Sequence, residues 1–176
     1  MSVYQTNAIV LKRENIFEAD RLYHLYTEDF GKVRAIAGSV RKIKAKLTGH
    51  LEPFNFVWVE LISKKGGELI ITTALSHCGL LGKAAPGQIA LFTKMANFAV
   101  IMLKEPQKDE KLWNFILESF LAAGKLETSA DPPERLASSS RAGKFLNDFK
   151  SGFIKIMGFG DNFEEARYYL DDFGVL

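Results

Sequence analysis

The apolar residues of this chain change their spacing once, near Pro86-Gly87, and that change constrains the fold more than any motif. Before it, short runs rich in aromatic and β-branched residues alternate with turn signals. After it, apolar residues recur at intervals of three and four. Side chains alternate across a strand and repeat about every 3.6 residues along a helix. A sheet must therefore be built first and helices second, which is an α+β order.

The first part reads as five strands: Tyr4–Lys12, Arg21–Tyr26, Lys32–Ala37, Phe54–Ile62 and Glu68–Thr73. Phe30-Gly31 marks the turn into the third strand. Ser63-Lys64-Lys65-Gly66-Gly67 marks a hairpin turn in which glycine can take positive φ. A helical turn is expected near Ala45–Thr48. Five short strands with an insertion between the third and fourth form the OB-fold pattern of a small closed barrel. Chain order alone is shared with other small barrels.

The second part reads as helices. Ile89, Phe92, Met95, Ala96, Ala99 and Met102 outline the first, which Pro106 ends. Leu112, Phe115, Ile116 and Phe120 outline a second, closed by Gly124. The polar stretch Glu127–Ser140 reads as a loop, Phe145–Ile156 as a third helix and Phe163–Phe173 as a short fourth. The expected organisation is a barrel domain over 1–80 and a helical domain over 81–176.

Composition narrows the function classes. Hydrophobic residues make up 47% and charged residues 25% of the 176, the balance of a folded domain. Cys78 is the single cysteine, so neither an intrachain disulfide nor a cysteine-based zinc site can form. No metal or other cofactor is expected. The N-terminus lacks the basic start and apolar run of a signal peptide, and Ile89–Leu103 is too short and too polar to span a bilayer. These features predict a soluble cytoplasmic protein with no membrane partner.

Catalytic groupings are not evident. His24, His50 and His77 show no metal-ligand or triad spacing, and they read as ordinary strand and loop residues. His77-Cys78 could in principle make an activated thiol, but the preferred reading is a small buried cysteine at a strand end. Gly158-Phe159-Gly160 lacks the third glycine of a dinucleotide fingerprint and reads as a helix end. The expectation is a binding protein and not an enzyme.

One stretch is chemically unusual. Net charge is only +2, yet Lys32, Arg34, Arg41, Lys42, Lys44 and Lys46 fall within fifteen residues that contain no acid. Solvated faces usually mix both signs. A phosphate chain is the natural partner for such a run, because each paired cation releases condensed counterions. In extended chain Lys42, Lys44 and Lys46 share a face; in a helical turn Lys42 and Lys46 do. These six cations are the candidate nucleic-acid-binding residues. Tyr4, Tyr23, Tyr26, Phe30 and Phe54 are candidate stacking platforms for unpaired bases, although a core role competes for most of them. The competing functions are a protein-interaction adaptor, whose basic stretch meets an acidic surface, and an RNA-binding barrel.

Several pieces taken in order resemble a known family. Tyr4-Gln5-Thr6-Asn7-Ala8-Ile9-Val10-Leu11, Glu18-Ala19-Asp20-Arg21-Leu22 and Thr27-Glu28-Asp29-Phe30-Gly31-Lys32 resemble the N-terminal domain of the DNA repair protein RecO family. Gly38-Ser39-Val40-Arg41-Lys42-Ile43-Lys44-Ala45-Lys46-Leu47, followed by Leu51-Glu52-Pro53-Phe54, is similar to that family's glycine-, arginine- and lysine-bearing signature. Similarity is good from Tyr4 to about Leu80 and looser beyond, through Phe149–Phe159. The resemblance implies an OB-fold joined to a helical domain. It implies binding of single- and double-stranded DNA, annealing of complementary strands and a mediator role in recombinational repair in the bacterial cytoplasm, on the nucleoid when DNA is bound. The implied partners are RecR, the single-stranded DNA-binding protein through its C-terminal tail, and indirectly the RecA recombinase.

The sequence also departs from the family. Ala45 stands where relatives often have serine, which removes a hydroxyl donor. The helical part lacks the cysteine cluster that holds zinc in many relatives, and the final helices are expected to be reduced. On the third helix Arg141, Lys144 and Lys155 flank Phe145 and Phe149, and this set is the candidate partner site for an acidic tail.

Overall fold

The computed structural model describes residues 2–16, 20–38, 47, 49–104, 106–127 and 140–160. Strands β1 (Ser2–Asn15), β2 (Arg21–Thr27), β3 (Gly31–Ala37), β4 (Phe56–Ser63) and β5 (Leu69–Cys78) close a barrel in the order β1-β2-β3-β5-β4. All neighbours are antiparallel except β3 and β5, which pair in parallel only at Ala35↔Leu69 and Ile36↔Ile70. This is the OB-fold.

Alternation fills the barrel. On β2 Tyr23 and Leu25 point inward, and on β3 Val33, Ala35 and Ala37 do so. Val57, Val59 and Leu61 of β4 complete that core with Ala8 and Val10 of β1. Each of the larger side chains contributes on the order of 1.5–3 kcal/mol by leaving water. Leu47 and Leu51 from the insertion add to the same cluster, and Leu51 N–H donates to the Leu47 carbonyl at 2.9 Å in helical fashion. The remainder of the expected helical turn lies outside the described residues.

Three strands differ from the sequence reading by more than one residue at an end. β1 runs from Ser2 to Asn15 because it pairs with β4 at its start and with β2 at its end. β4 begins at Phe56, since Phe54 adopts φ 68, which no strand residue takes. Its N–H instead donates to Val10 O at 2.7 Å, while Val10 N–H donates to Asn55 O at 3.0 Å. β5 continues to Cys78 because its later residues still pair with β4.

Helices α1 (Pro86–Met102), α2 (Glu110–Gly124) and α3 (Arg141–Ile156) follow. Pro86 opens α1 instead of blocking it, since the first helical position needs no N–H donor. Gln88 ties two helix ends together: its Oε1 accepts from Ala85 N–H at 2.8 Å, and its Nε2 donates to the carbonyls of Gly124 and Leu126. Ser140 caps α3 by accepting from Gly143 N–H at 3.0 Å. Phenylalanines pack the three helices together, with Phe92 stacked on Phe120 and Phe115 on Phe149. The expected fourth helix, Phe163–Phe173, lies outside the described residues.

Two compact units result. One comprises Met1–Gly82 with Lys104–Asp109, and the other Lys83–Leu103 with Glu110–Leu176. The α1–α2 connection thus belongs to the barrel. Its Gln107 backbone lies against Gly31, and Lys108 pairs with Asp29 at 3.3 Å. No helix among the described residues is long and apolar enough to cross a membrane.

Candidate nucleic-acid interface

The outer face of β1–β3 collects cations across strands. Partners in an antiparallel pair project to the same side. His24 lies opposite Arg34 of β3, and Tyr26 lies opposite Lys32. On its other side His24 lies opposite Lys12 of β1. Lys12, His24 and Arg34 therefore form a row across three strands, with Lys32 one step along β3. Arg34 and Lys12 are exposed, and Lys32 is half-buried.

Lys12 reaches this row through an irregularity. The β1–β2 register shifts between Val10 and Lys12. Strict alternation from Ala8 and Val10, both inward, would turn Lys12 into the core. The shift turns it outward, as β-bulges do when they re-aim a side chain. Sequence reading missed Lys12 as a member of the face for this reason, and read His24 as an ordinary strand histidine.

Glu14 tempers the row. Glu14 Oε1 lies 2.6 Å from Lys12 Nζ and 3.4 Å from His24 Nε2. The Lys12 hydrogen bond, chiefly, holds the Glu14 carboxyl below its ordinary range, against a smaller burial effect. The His24 contact is an ion-pair distance without hydrogen-bond geometry, and neither imidazole nitrogen has a hydrogen-bond partner among the described residues. Burial lowers the His24 pKa; Glu14 opposes that shift, and Lys32 and Lys12 add to it.

Lys32 and Arg34 also border a groove of about 430 Å³. Its other walls include Leu22 and Ile36 on the outer face, and Gly66, Gly67 and Glu68 in the β4–β5 turn. A Cβ at Gly66 or Gly67 would meet nothing within 4 Å, so the backbone there is open to close approach.

Arg41, Lys42, Lys44 and Lys46 lie outside the described residues. Among the candidate stacking residues, Tyr23 and Tyr26 are 1% exposed and Phe54 is 7% exposed, which removes them from the surface. Burial raises the Tyr26 phenol far above its ordinary pKa, and nearby Asp109 adds to this. Tyr4 and Phe30 remain accessible at one end of the barrel, with rings edge-to-face at 5.3 Å.

On α3, Arg141, Lys144 and Lys155 are exposed and Phe145 is half-buried. Phe149 is a core residue, stacked on Phe115 and met edge-on by Phe98, Phe120 and Phe153. Sequence spacing placed Phe145 and Phe149 on one stripe; packing turns the second inward.

The remaining histidines have structural contacts. His50 Nδ1 accepts from Ser76 N–H at 3.1 Å, and the His77 ring lies tilted against Phe56 with centroids 4.8 Å apart. Among the described residues no three His, Cys, Asp or Glu side chains converge as a metal site would require.

Comparison with known proteins bears on the same residues. The family model described as "Recombination protein O N terminal" matches residues 1–76, the barrel strands. The DNA repair protein RecO of Streptomyces avermitilis is 33% identical over 134 residues, covering 74% of this chain and 53% of the relative. That of Streptomyces griseus subsp. griseus is 30% identical over 171 residues, 94% of this chain and 65% of the relative. That of Bifidobacterium adolescentis is 41% identical over 73 residues, 42% of this chain and 29% of the relative. The chain spans about half the length of the first curated relatives it matches. Similarity of this extent, an OB-fold barrel where the family model matches, and the ordered motifs through Phe54 agree: the barrel matches the N-terminal domain of the RecO family, and the chain is similar to RecO proteins beyond it.

Proposed function

We propose that this chain acts in DNA repair by binding the backbones of single- and double-stranded DNA along the outer face of β1–β3 and annealing complementary strands. The observation that carries this reading is the row Lys12, His24 and Arg34, with Lys32 beside it. It occupies the β2–β3 face next to the β4–β5 turn, the surface on which OB-folds take oligonucleotides. The acid-free run that begins at Lys32 and Arg34 continues in sequence to Arg41, Lys42, Lys44 and Lys46, which we assign to the same path. Annealing requires no covalent chemistry. Cations screen the mutual repulsion of two strands while contacts to phosphate leave base edges readable.

The name shared by the relatives, DNA repair protein RecO, supports a role in repair. We extend the proposal to the family's partners: RecR, the single-stranded DNA-binding protein and, through them, RecA. The exposed cations Arg141, Lys144 and Lys155 around Phe145 suit the acidic C-terminal tail of the single-stranded DNA-binding protein.

Binding and annealing of fluorescent oligonucleotides across a salt series test the reading. If three or four cations pair phosphates, log affinity for single strands should fall against log salt with a slope of roughly −2 to −3. Replacing Lys12, Lys32 and Arg34 together by Ala should flatten that slope by about 2 and slow annealing. Glu14→Gln should do the opposite, because it frees Lys12 and His24 from their acid. Folded variants with unchanged affinity, slope and annealing rate would refute the assignment, and a marked preference for RNA in competition would redirect it to RNA.

A further inference from the structure

A second cavity of the barrel is not explained by phosphate contacts. It lies at the end that carries the β2–β3 and β4–β5 turns, has a volume of about 520 Å³, and takes Tyr4, Phe30, Leu61 and Leu69 among its walls. Tyr4 lies opposite Leu61 in the β1–β4 register and shares its inward side, yet remains 37% exposed because the barrel opens here. Its ring meets Phe30 edge-on at an interplanar angle of 75°. The rim is polar. Asp29 Oδ2 accepts from Thr6 Oγ1 at 2.9 Å, and its Oδ1 accepts from Lys108 Nζ at 3.3 Å.

This cavity and the cation-bordered groove share the walls Val33, Gly67, Leu69 and Pro106. They meet where β3 and β5 part, because those strands pair only at Ala35↔Leu69 and Ile36↔Ile70. At the dividing wall Gly67 has φ +84 and nothing within 4 Å of where a Cβ would stand. A ligand lying across both must be anionic on one side and flat and apolar on the other. An unpaired nucleotide has both properties. A duplex does not offer them, since its bases are already stacked and paired.

We infer that the mouth of the barrel is a base-stacking pocket. It takes an unpaired base against Tyr4 and Phe30 from a strand whose phosphates lie along Lys32 and Arg34. The inference rests on the DNA-binding reading above and adds a preference for single strands over duplex. Stacking on aromatic rings tolerates any base, so the pocket imposes no sequence.

Wild-type protein should be titrated with a single-stranded oligonucleotide, with the same strand carrying abasic sites, and with duplex. The normal strand should bind about five-fold or more tighter than the abasic one, and 2-aminopurine placed in it should be quenched on binding. Tyr4→Ala should remove that advantage and the quenching while leaving the salt slope and duplex affinity unchanged. Tyr4→Trp should restore both effects. Salt-dependent binding that treats normal and abasic strands alike would overturn the pocket and leave the phosphate reading standing. Absence of any DNA binding by the wild type would overturn both. The abasic comparison needs no variant, so a Tyr4→Ala protein that fails to fold would not shelter the inference.

Discussion

His24 concentrates the electrostatics of the proposed interface in one side chain. Burial keeps its imidazole neutral below the ordinary value of 6.5, while Glu14, Lys12, Lys32 and Arg34 surround it on three strands. The folded state therefore takes up this proton at lower pH than the unfolded state does. As pH falls through 6.5 the unfolded chain protonates first, stability declines, and the decline ends once the lowered folded value is passed. DNA affinity should move the other way, because a bound phosphate favours the imidazolium. Melting temperature and single-strand affinity measured from about pH 5 to 7.5 should show these opposite trends in the wild type, given an ordinary histidine value near 6.5. His24→Gln should reduce both. Parallel profiles for the two proteins would mean that His24 does not titrate in this range.

At the scale of elements, the β2–β3 turn depends on a glycine that two constraints fix. Gly31 has φ +69, and a Cβ on it would lie 2.2 Å from the Gln107 carbonyl oxygen. Thr27 Oγ1 spans the same turn, donating to Gly31 O at 2.8 Å and accepting from Phe30 N–H at 3.1 Å. Alanine here must take a left-handed conformation, at about 1–2 kcal/mol, and also displace backbone. Gly66 is the natural comparison, with φ +108 but open space around it. Gly31→Ala should destabilise by roughly 3 kcal/mol or more and Gly66→Ala by about 1–2 kcal/mol, read from denaturant midpoints. Equal losses would show that the approach of the Lys104–Asp109 segment is unimportant. That segment supplies Pro106 to both barrel cavities, so the glycine also bears on the proposed pocket.

For the molecule as a whole, packing without metal is the expectation. The helical unit is held by its phenylalanines and by Gln88 bridging two helix ends, while the single cysteine of the sequence, Cys78, falls in the barrel unit. A structural zinc requires about four converging nitrogen or sulfur ligands. Chelation should therefore leave both the melting temperature and DNA binding unchanged. Stoichiometric zinc in the purified protein, with a lower melting temperature after chelation, would contradict this.

The sequence by itself determined what depends on neighbours along the chain. The change of period near Pro86 separated strands from helices, because each element's side-chain repeat is local. Phe30-Gly31 and the glycines at 66 and 67 marked turns, because only they take positive φ cheaply. Lys32 and Arg34 were legible as a charged edge for the same reason. Tertiary structure decided what depends on register. One residue of slip exchanges the two faces of a strand, so the shift after Val10 made Lys12 a surface cation opposite His24. Closure of β3 on β5 brought Val33 near Leu69 at the junction of the two cavities, a proximity no local pattern encodes. Burial sorted the aromatics likewise: Tyr4 and Tyr23 are alike in sequence, but Tyr4 stands at an open barrel end and Tyr23 within the core.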